Sequence, residues 1–126
     1  MANAINGIDT HTYLVKEPAR AMAFWRDTMG LQQTAEFEQG GEFELPDGTA
    51  FSLWRMDDGS WTAGNGIMFA VDDARAAATY FRERGVQVAE HVEDTPMCVM
   101  AFAEDSEGNS FILHQRKPSV SSVPTA

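Results

Sequence analysis

Asp105-Ser106-Glu107-Gly108-Asn109-Ser110-Phe111-Ile112-Leu113-His114-Gln115 is the stretch whose reading decides the fold. Asp, Ser, Gly and Asn in succession supply the chemistry of a tight turn, and the spacing of Phe111 and Leu113 after them supplies a strand. The same design stands earlier, at Pro46-Asp47-Gly48-Thr49-Ala50-Phe51-Ser52-Leu53-Trp54. Each half of the chain therefore ends on an acid–Gly turn followed by Phe-x-Leu-x, and the residues at the x positions carry most of the functional argument.

Working outward, Val15-Lys16-Glu17-Pro18-Ala19-Arg20-Ala21-Met22-Ala23-Phe24-Trp25-Arg26-Asp27 aligns without a gap on Val71-Asp72-Asp73-Ala74-Arg75-Ala76-Ala77-Ala78-Thr79-Tyr80-Phe81-Arg82-Glu83. Val15 to Val71 is an offset of 56, and Phe51 to Phe111 an offset of 60. This is the signature of a duplicated module. In the first copy, Ile8 to Val15 alternates as a strand. Glu17-Pro18 then opens a helix that buries Ala21, Met22, Trp25 and Met29 and ends at Gly30. Thr34–Phe37, Glu42–Leu45 and Ala50–Arg55 complete the copy as strands.

Asp57 to Asn65, polar and Gly-rich, reads as a linker, with Trp61 placed for a rim or a dimer contact. In the second copy, Gly66–Val71 is a strand and Asp72 or Asp73 caps a helix that buries Ala74, Ala77, Ala78 and Phe81. Gly85 stops this helix, and strands follow at Val86–His91, Met97–Ala103 and Ser110–Gln115. The fold class is α+β: two β-α-β-β-β modules, about 8–56 and 66–116, forming a curved mixed sheet with a concave cavity. One domain, 1–117, is followed by a tail, 118–126, expected to be disordered.

Composition narrows the partners. The chain has 126 residues, 44 % of them apolar, enough for a sizeable core. Nine Lys and Arg stand against 19 Asp and Glu, a net charge of −10, which argues against nucleic acid and anionic membrane surfaces as partners. No stretch reaches the about 18 apolar residues of a membrane span. No basic n-region and apolar h-region stand at the start, so a secretory leader is not expected. A single cysteine, Cys98, is expected as a buried inert thiol and fits a reducing, cytoplasmic setting.

Strand parity points to the ligand surface. With Phe51, Leu53, Phe111 and Leu113 facing the helices, the opposite face presents Thr10, Thr12, Ser52, Trp54, Gly66, Met68, Ile112 and His114. That set is mostly apolar with a few polar tips, the usual make-up of a small-molecule site. Trp54 suits stacking on a planar or cationic ligand, and His114 is the candidate acid/base. The same parity puts His11 on the helix side, as a core or edge histidine.

Through Glu17–Asp27, Gly30-Leu31, Phe69-Ala70-Val71-Asp72-Asp73 and Asp105–Asn109, the sequence resembles the vicinal oxygen chelate superfamily over about residues 7–117. That group includes glyoxalase I, extradiol dioxygenases, methylmalonyl-CoA epimerase, fosfomycin-resistance enzymes and bleomycin-resistance proteins. The resemblance implies the fold, and a homodimer with paired clefts. In the metal enzymes of the group, His, Gln or Glu ligands stand on the first, fourth, fifth and eighth strands. Those positions here are Thr10, Ser52, Gly66 and Ile112, none of them a usual ligand for a divalent metal. A shift of strand register would bring His11 or His114 in instead. The expectation is therefore no metal and no cofactor: a metal-independent protein that binds or sequesters a small aromatic or cationic molecule, as antibiotic-resistance proteins of this group do. The alternative is an enzyme of lyase, isomerase or dioxygenase type with His114 as acid/base, and a structural or regulatory partner protein comes third.

Overall fold

Parallel pairing of a first strand with a fourth organises each half of the molecule. The computed structural model describes residues 3–118, and the chain divides into two compact units, Met1–Thr62 and Ala63–Ala126. In the first unit β1 (His11–Leu14) runs parallel to β4 (Ala50–Trp54), with β3 (Gly40–Glu44) and β2 (Gln32–Phe37) added antiparallel in the order β1-β4-β3-β2. In the second, β5 (Ile67–Ala70) runs parallel to β8 (Ser110–Arg116), and β7 (Cys98–Glu104) and β6 (Gln87–Asp94) give β5-β8-β7-β6. The molecule is thus α+β, with two four-stranded mixed sheets and one helical crossover each.

The repeat extends to single hydrogen bonds. Val15 N–H donates to the Trp54 carbonyl at 3.0 Å, and Val71 N–H donates to the His114 carbonyl at 3.0 Å. Trp54 and His114 therefore hold the same position in the two copies. The turns before β4 and β8 match too: Leu45 and Thr49 are joined as Asp105 and Asn109 are, each by an N–H···O bond of 2.9 Å.

In the first unit Phe51 and Leu53 face the helix with Tyr13, Val15 and Phe43, all buried. Trp25 joins them, its ring 4.7 Å from that of Phe51. Helix α1 (Pro18–Ala23) begins on proline, whose missing N–H costs nothing there. The single α-helix expected up to Gly30 is interrupted. Phe24–Thr28 forms a π-helical turn, with Met29 N–H reaching the Phe24 carbonyl at 2.9 Å, before Gly30 closes it at φ +81°. The wider turn takes up one extra residue while keeping Trp25 in the core. Trp61, from the stretch read as a linker, packs on its own unit. Its indole N–H donates to the Leu14 carbonyl at 3.1 Å, and Lys16 Nζ sits 4.3 Å from the ring centroid.

In the second unit α2 (Ala74–Glu83) is capped twice. The Asp73 carboxylate accepts from Ala76 N–H at 3.0 Å, and the Gln115 side chain of β8 accepts from Ala74 N–H at 2.9 Å. Ala74 and Ala78 are buried against β7 and β8, where Val99, Ala101, Ala103, Phe111 and Leu113 complete the core. Ala77 and Phe81, expected inside as well, are only half-buried. The expected tail lies, beyond Pro118, outside the described residues.

The two turns differ in burial. Asp47 holds Thr49 from an exposed loop, at 3.0 Å to its N–H and 2.6 Å to its hydroxyl. Asn109 is fully buried. It donates to the Asp105 carboxylate at 3.1 Å and accepts from Gly64 N–H at 2.7 Å, while Asp105 accepts from the N–H groups of Glu107 and Asn109. Asn109→Ala is expected to cost roughly 2 kcal/mol, because it takes one donor from a buried carboxylate and the acceptor from a part-buried N–H. Thr49→Ala should cost about 1 kcal/mol or less. Urea unfolding of both variants checks the difference.

At the end of β8, Lys117 and Arg75 hold the exposed Asp94 carboxylate below its ordinary value of 3.8, the Lys117 hydrogen bond being the larger cause. A depressed carboxylate stabilises the fold above its unfolded value, and that contribution is lost as pH falls through the folded value. Asp94→Asn should therefore flatten the decline in urea midpoint below about pH 4 and leave its slope near neutrality unchanged.

Candidate functional site

Because each helix covers one sheet face, chemistry available to a ligand sits on the other. On the first unit this face carries Thr12, Ser52 and Glu42 side by side, from the registers Thr12–Ser52 and Ser52–Glu42. Thr10 and Ser52 hydroxyls bond each other at 2.6 Å. Trp54, half-buried, meets the exposed Phe37 edge to face at 6.1 Å, across Gly40, which separates them in register. A Cβ at Gly40 would overlap the Leu53 carbonyl, so the backbones of β3 and β4 approach closely there. The face is thus an aromatic edge, a hydroxyl pair and a carboxylate in a row. Glu42 and Phe37 were not among the residues expected from sequence. The burial of Phe43 is the signal for Glu42, since its neighbours on β3 must point the other way.

On the second unit a groove of about 590 Å³ is lined by Met68 and Ala70 of β5, Asp72, Met97 and Cys98, and His114 and Arg116 of β8. His114 lies in register with Ala70 and Met100, and Arg116 with Cys98. Met68 and Met97 are more than half exposed, whereas Cys98 is buried and its sulfur lies 3.4 Å from the Thr95 hydroxyl. His114 has no hydrogen-bond or ion-pair partner among the described residues. Of the expected residues, Met68 and His114 meet in this groove. Ile112 lies beside Met68 on the same face but outside the lining, and Gly66 is an exposed residue at φ +96° ahead of β5. His11, expected at a core or edge position, is exposed on the edge strand.

The positions at which the metal enzymes of the resembled group hold their ligands can be tested by donor chemistry. Thr10 and Ser52 offer neutral hydroxyls bonded to each other, and Gly66 and Ile112 offer no side-chain donor. Among the described residues, no three His, Cys, Asp or Glu side chains gather as a metal-binding group. The donor set does not fit a divalent metal at these positions.

Fold and faces together define a duplicated β-α-β-β-β protein with polar and aromatic side chains on the sheet faces away from the helices. Residues 7–113 match the Glyoxalase/Bleomycin resistance protein/Dioxygenase superfamily, and the chain belongs to it. Similar solved structures include TnmS3, an antibiotic binding protein from Streptomyces sp. CB03234, at 24 % identity and a TM-score of 0.75, covering 90 % of this chain and 98 % of that one. Lactoylglutathione lyase from Agrobacterium tumefaciens is similar at 22 % identity and 0.73, covering 88 % and 94 %. A superfamily member from Sphaerobacter thermophilus DSM 20745 is similar at 22 % and 0.75, covering 89 % and 98 %. At these identities the likeness establishes the fold alone. Among curated proteins, none matches the chain by sequence.

Chelator-treated protein incubated with Zn²⁺, Ni²⁺ or Mn²⁺ and then desalted should therefore retain well under one ion per chain by elemental analysis. One ion per chain, removable by chelator, would show that other side chains rearrange to form a site.

Proposed function

We propose that this chain is a metal-independent small-molecule binding protein that sequesters a planar ligand; the similarity to a protein named as antibiotic binding supports the binding part of this reading. The single observation that carries this reading is the Thr10–Ser52 hydroxyl pair, mutually bonded at positions that require charged or imidazole ligands for metal chemistry, beside the aromatic edge of Trp54 and Phe37. Such an arrangement grips by area and orients by hydrogen bonds. The Glu42 carboxylate on the same face adds a partner for a cationic group on the ligand. Thr12 belongs to this proposed face on the first unit; on the second unit Met68 and Ile112 share a strand face of their own, with Gly66 just ahead of it. A homodimer and a cytoplasmic setting complete the reading.

A metal-independent enzyme is the second reading, supported by the position of His114 at the groove and by the similarity to a lyase. It is weaker because a general base is ordinarily oriented by a second group, and His114 has none among the described residues.

Native mass spectrometry of gently purified protein tests the proposal. An organic adduct without metal supports binding; a metal ion per chain removes the reading. Against the retained molecule, Trp54→Ala is expected to weaken affinity about tenfold, the size of a lost stacking or cation–π contact. His114→Ala separates the readings: a change of a few-fold in affinity belongs to a binder, whereas loss of about 10²-fold or more in a measured turnover belongs to an enzyme.

A further inference from the structure

The cations of this chain are almost all engaged. Arg20, Arg26, Arg75 and Lys117 pair with carboxylates, Arg82 with a backbone carbonyl, and Lys16 and Arg84 with aromatic rings. Arg116 is an exception. It lines the second-unit groove, yet its guanidinium has no hydrogen-bond, ion-pair or ring partner among the described residues. Asp72 lines the same groove without pairing with it. In a chain with 19 acidic residues against nine basic ones, a free guanidinium held at a recess stands out.

Its surroundings are specific. Arg116 and His114 are two residues apart on β8, so both project from the face that α2 leaves uncovered. Met68 and Met97 form polarisable walls that adapt to a flat apolar body. The groove thus combines a forked charged donor, an imidazole N–H and a thioether-lined recess. The carboxylate is the natural complement of that fork, because two parallel N–H···O bonds match its geometry.

We propose that the second-unit groove is a binding site for an organic carboxylate carried on an aromatic body, with Arg116 as the residue that selects the anion. The inference deepens the small-molecule reading above and rests on it, naming the charge class of the group seated at His114 and Arg116. It differs from the aromatic or cationic ligand expected from the sequence in giving this groove an anionic group.

Three probes with one ring system and different charge test it: 1-naphthoate, 1-naphthylmethanol and 1-naphthylmethylammonium, titrated calorimetrically at fixed ionic strength into the full chain. The wild type should bind the carboxylate about tenfold or more tightly than the alcohol. Arg116→Gln should abolish that preference while leaving affinity for the alcohol within about twofold. Arg55→Gln removes the other cation without a partner among the described residues, on the first unit, and should leave the preference intact. Carbon-13-labelled methionine methyls should locate the site through shifts at Met68 and Met97.

Equal affinity for carboxylate and alcohol, an unaltered preference in Arg116→Gln, or an equal loss in Arg55→Gln would overturn the inference, the last by reducing it to a bulk-charge effect. So would binding that leaves the Met68 and Met97 signals in place. If the alcohol or ammonium probe binds and the carboxylate does not, the anion inference falls and the small-molecule reading stands. If no probe binds, the inference falls, and the native mass spectrum alone decides the broader reading.

Discussion

Burial of the two Phe-x-Leu pairs is the constraint on which the rest of the molecule depends. Phe51, Leu53, Phe111 and Leu113 are each no more than 2 % exposed. Side chains on a strand alternate strictly, so a slip of one residue would carry these four into solvent and push Ser52, Trp54, Ile112 and His114 beneath the helices. At about 1.5–3 kcal/mol for each large apolar side chain, such a slip costs about as much as the whole net stability of an ordinary domain. The parallel pairings pass this parity to β1 and β5, and the antiparallel pairings pass it to β3 and β7. The chemistry of the open faces is thus set by what must be hidden on the others.

That logic explains what was legible in the sequence. The turn–strand units, the duplicated helix starts and the left-handed caps at Gly30 and Gly85 are local signals, and the structure contains them. Features set by tertiary contacts were not legible. The π-helical turn carries no proline or glycine to announce it and follows from the fit of Trp25 under Phe51. Trp61 stands in a polar stretch, and only the Leu14 carbonyl and Lys16 above its ring give it a place. Glu42 and Phe37 lie on short strands around Gly40-Gly41 with little apolar alternation, and their facing becomes evident once Phe43 is paired with Phe51. Arg116 ends a strand longer than its pattern suggested, and composition cannot reveal that its guanidinium lacks a partner among the described residues.

Duplication also separates what was kept from what changed. On the helix sides the copies agree: Phe51 and Leu53 are matched by Phe111 and Leu113, and Val15 by Val71. On the open faces they share Glu44 and Glu104 at the strand ends and differ at the central positions. Trp54 stands where the second copy has His114, Ser52 where it has Ile112, and Glu42 where it has Phe102. The first face became aromatic, hydroxylic and acidic; the second became apolar and sulfur-rich, with a cation at its end. Packing constrains the first set of positions, and nothing in the packing demands the divergence of the second. Function is therefore sought on the diverged faces.

The polar groups on those faces also bear on the choice between binding and catalysis. Thr10 and Ser52 satisfy each other at 2.6 Å. A ligand that takes over either hydroxyl exchanges one hydrogen bond for another, so the pair contributes selectivity more than affinity. On the proposed reading, affinity on the first unit then comes from the area of Trp54 and Phe37, and in the separate groove of the second unit from the methionine walls and Arg116. None of these groups moves a proton. His114 is the side chain at the groove suited to acid–base chemistry near neutral pH, and no second group among the described residues holds its ring in one tautomer or orientation. A base left to rotate loses the pre-organisation that makes proton transfer fast, whereas a hydrogen-bond donor to a bound anion needs none before the ligand arrives. On the proposed reading, these groups suit retention of a molecule better than its transformation.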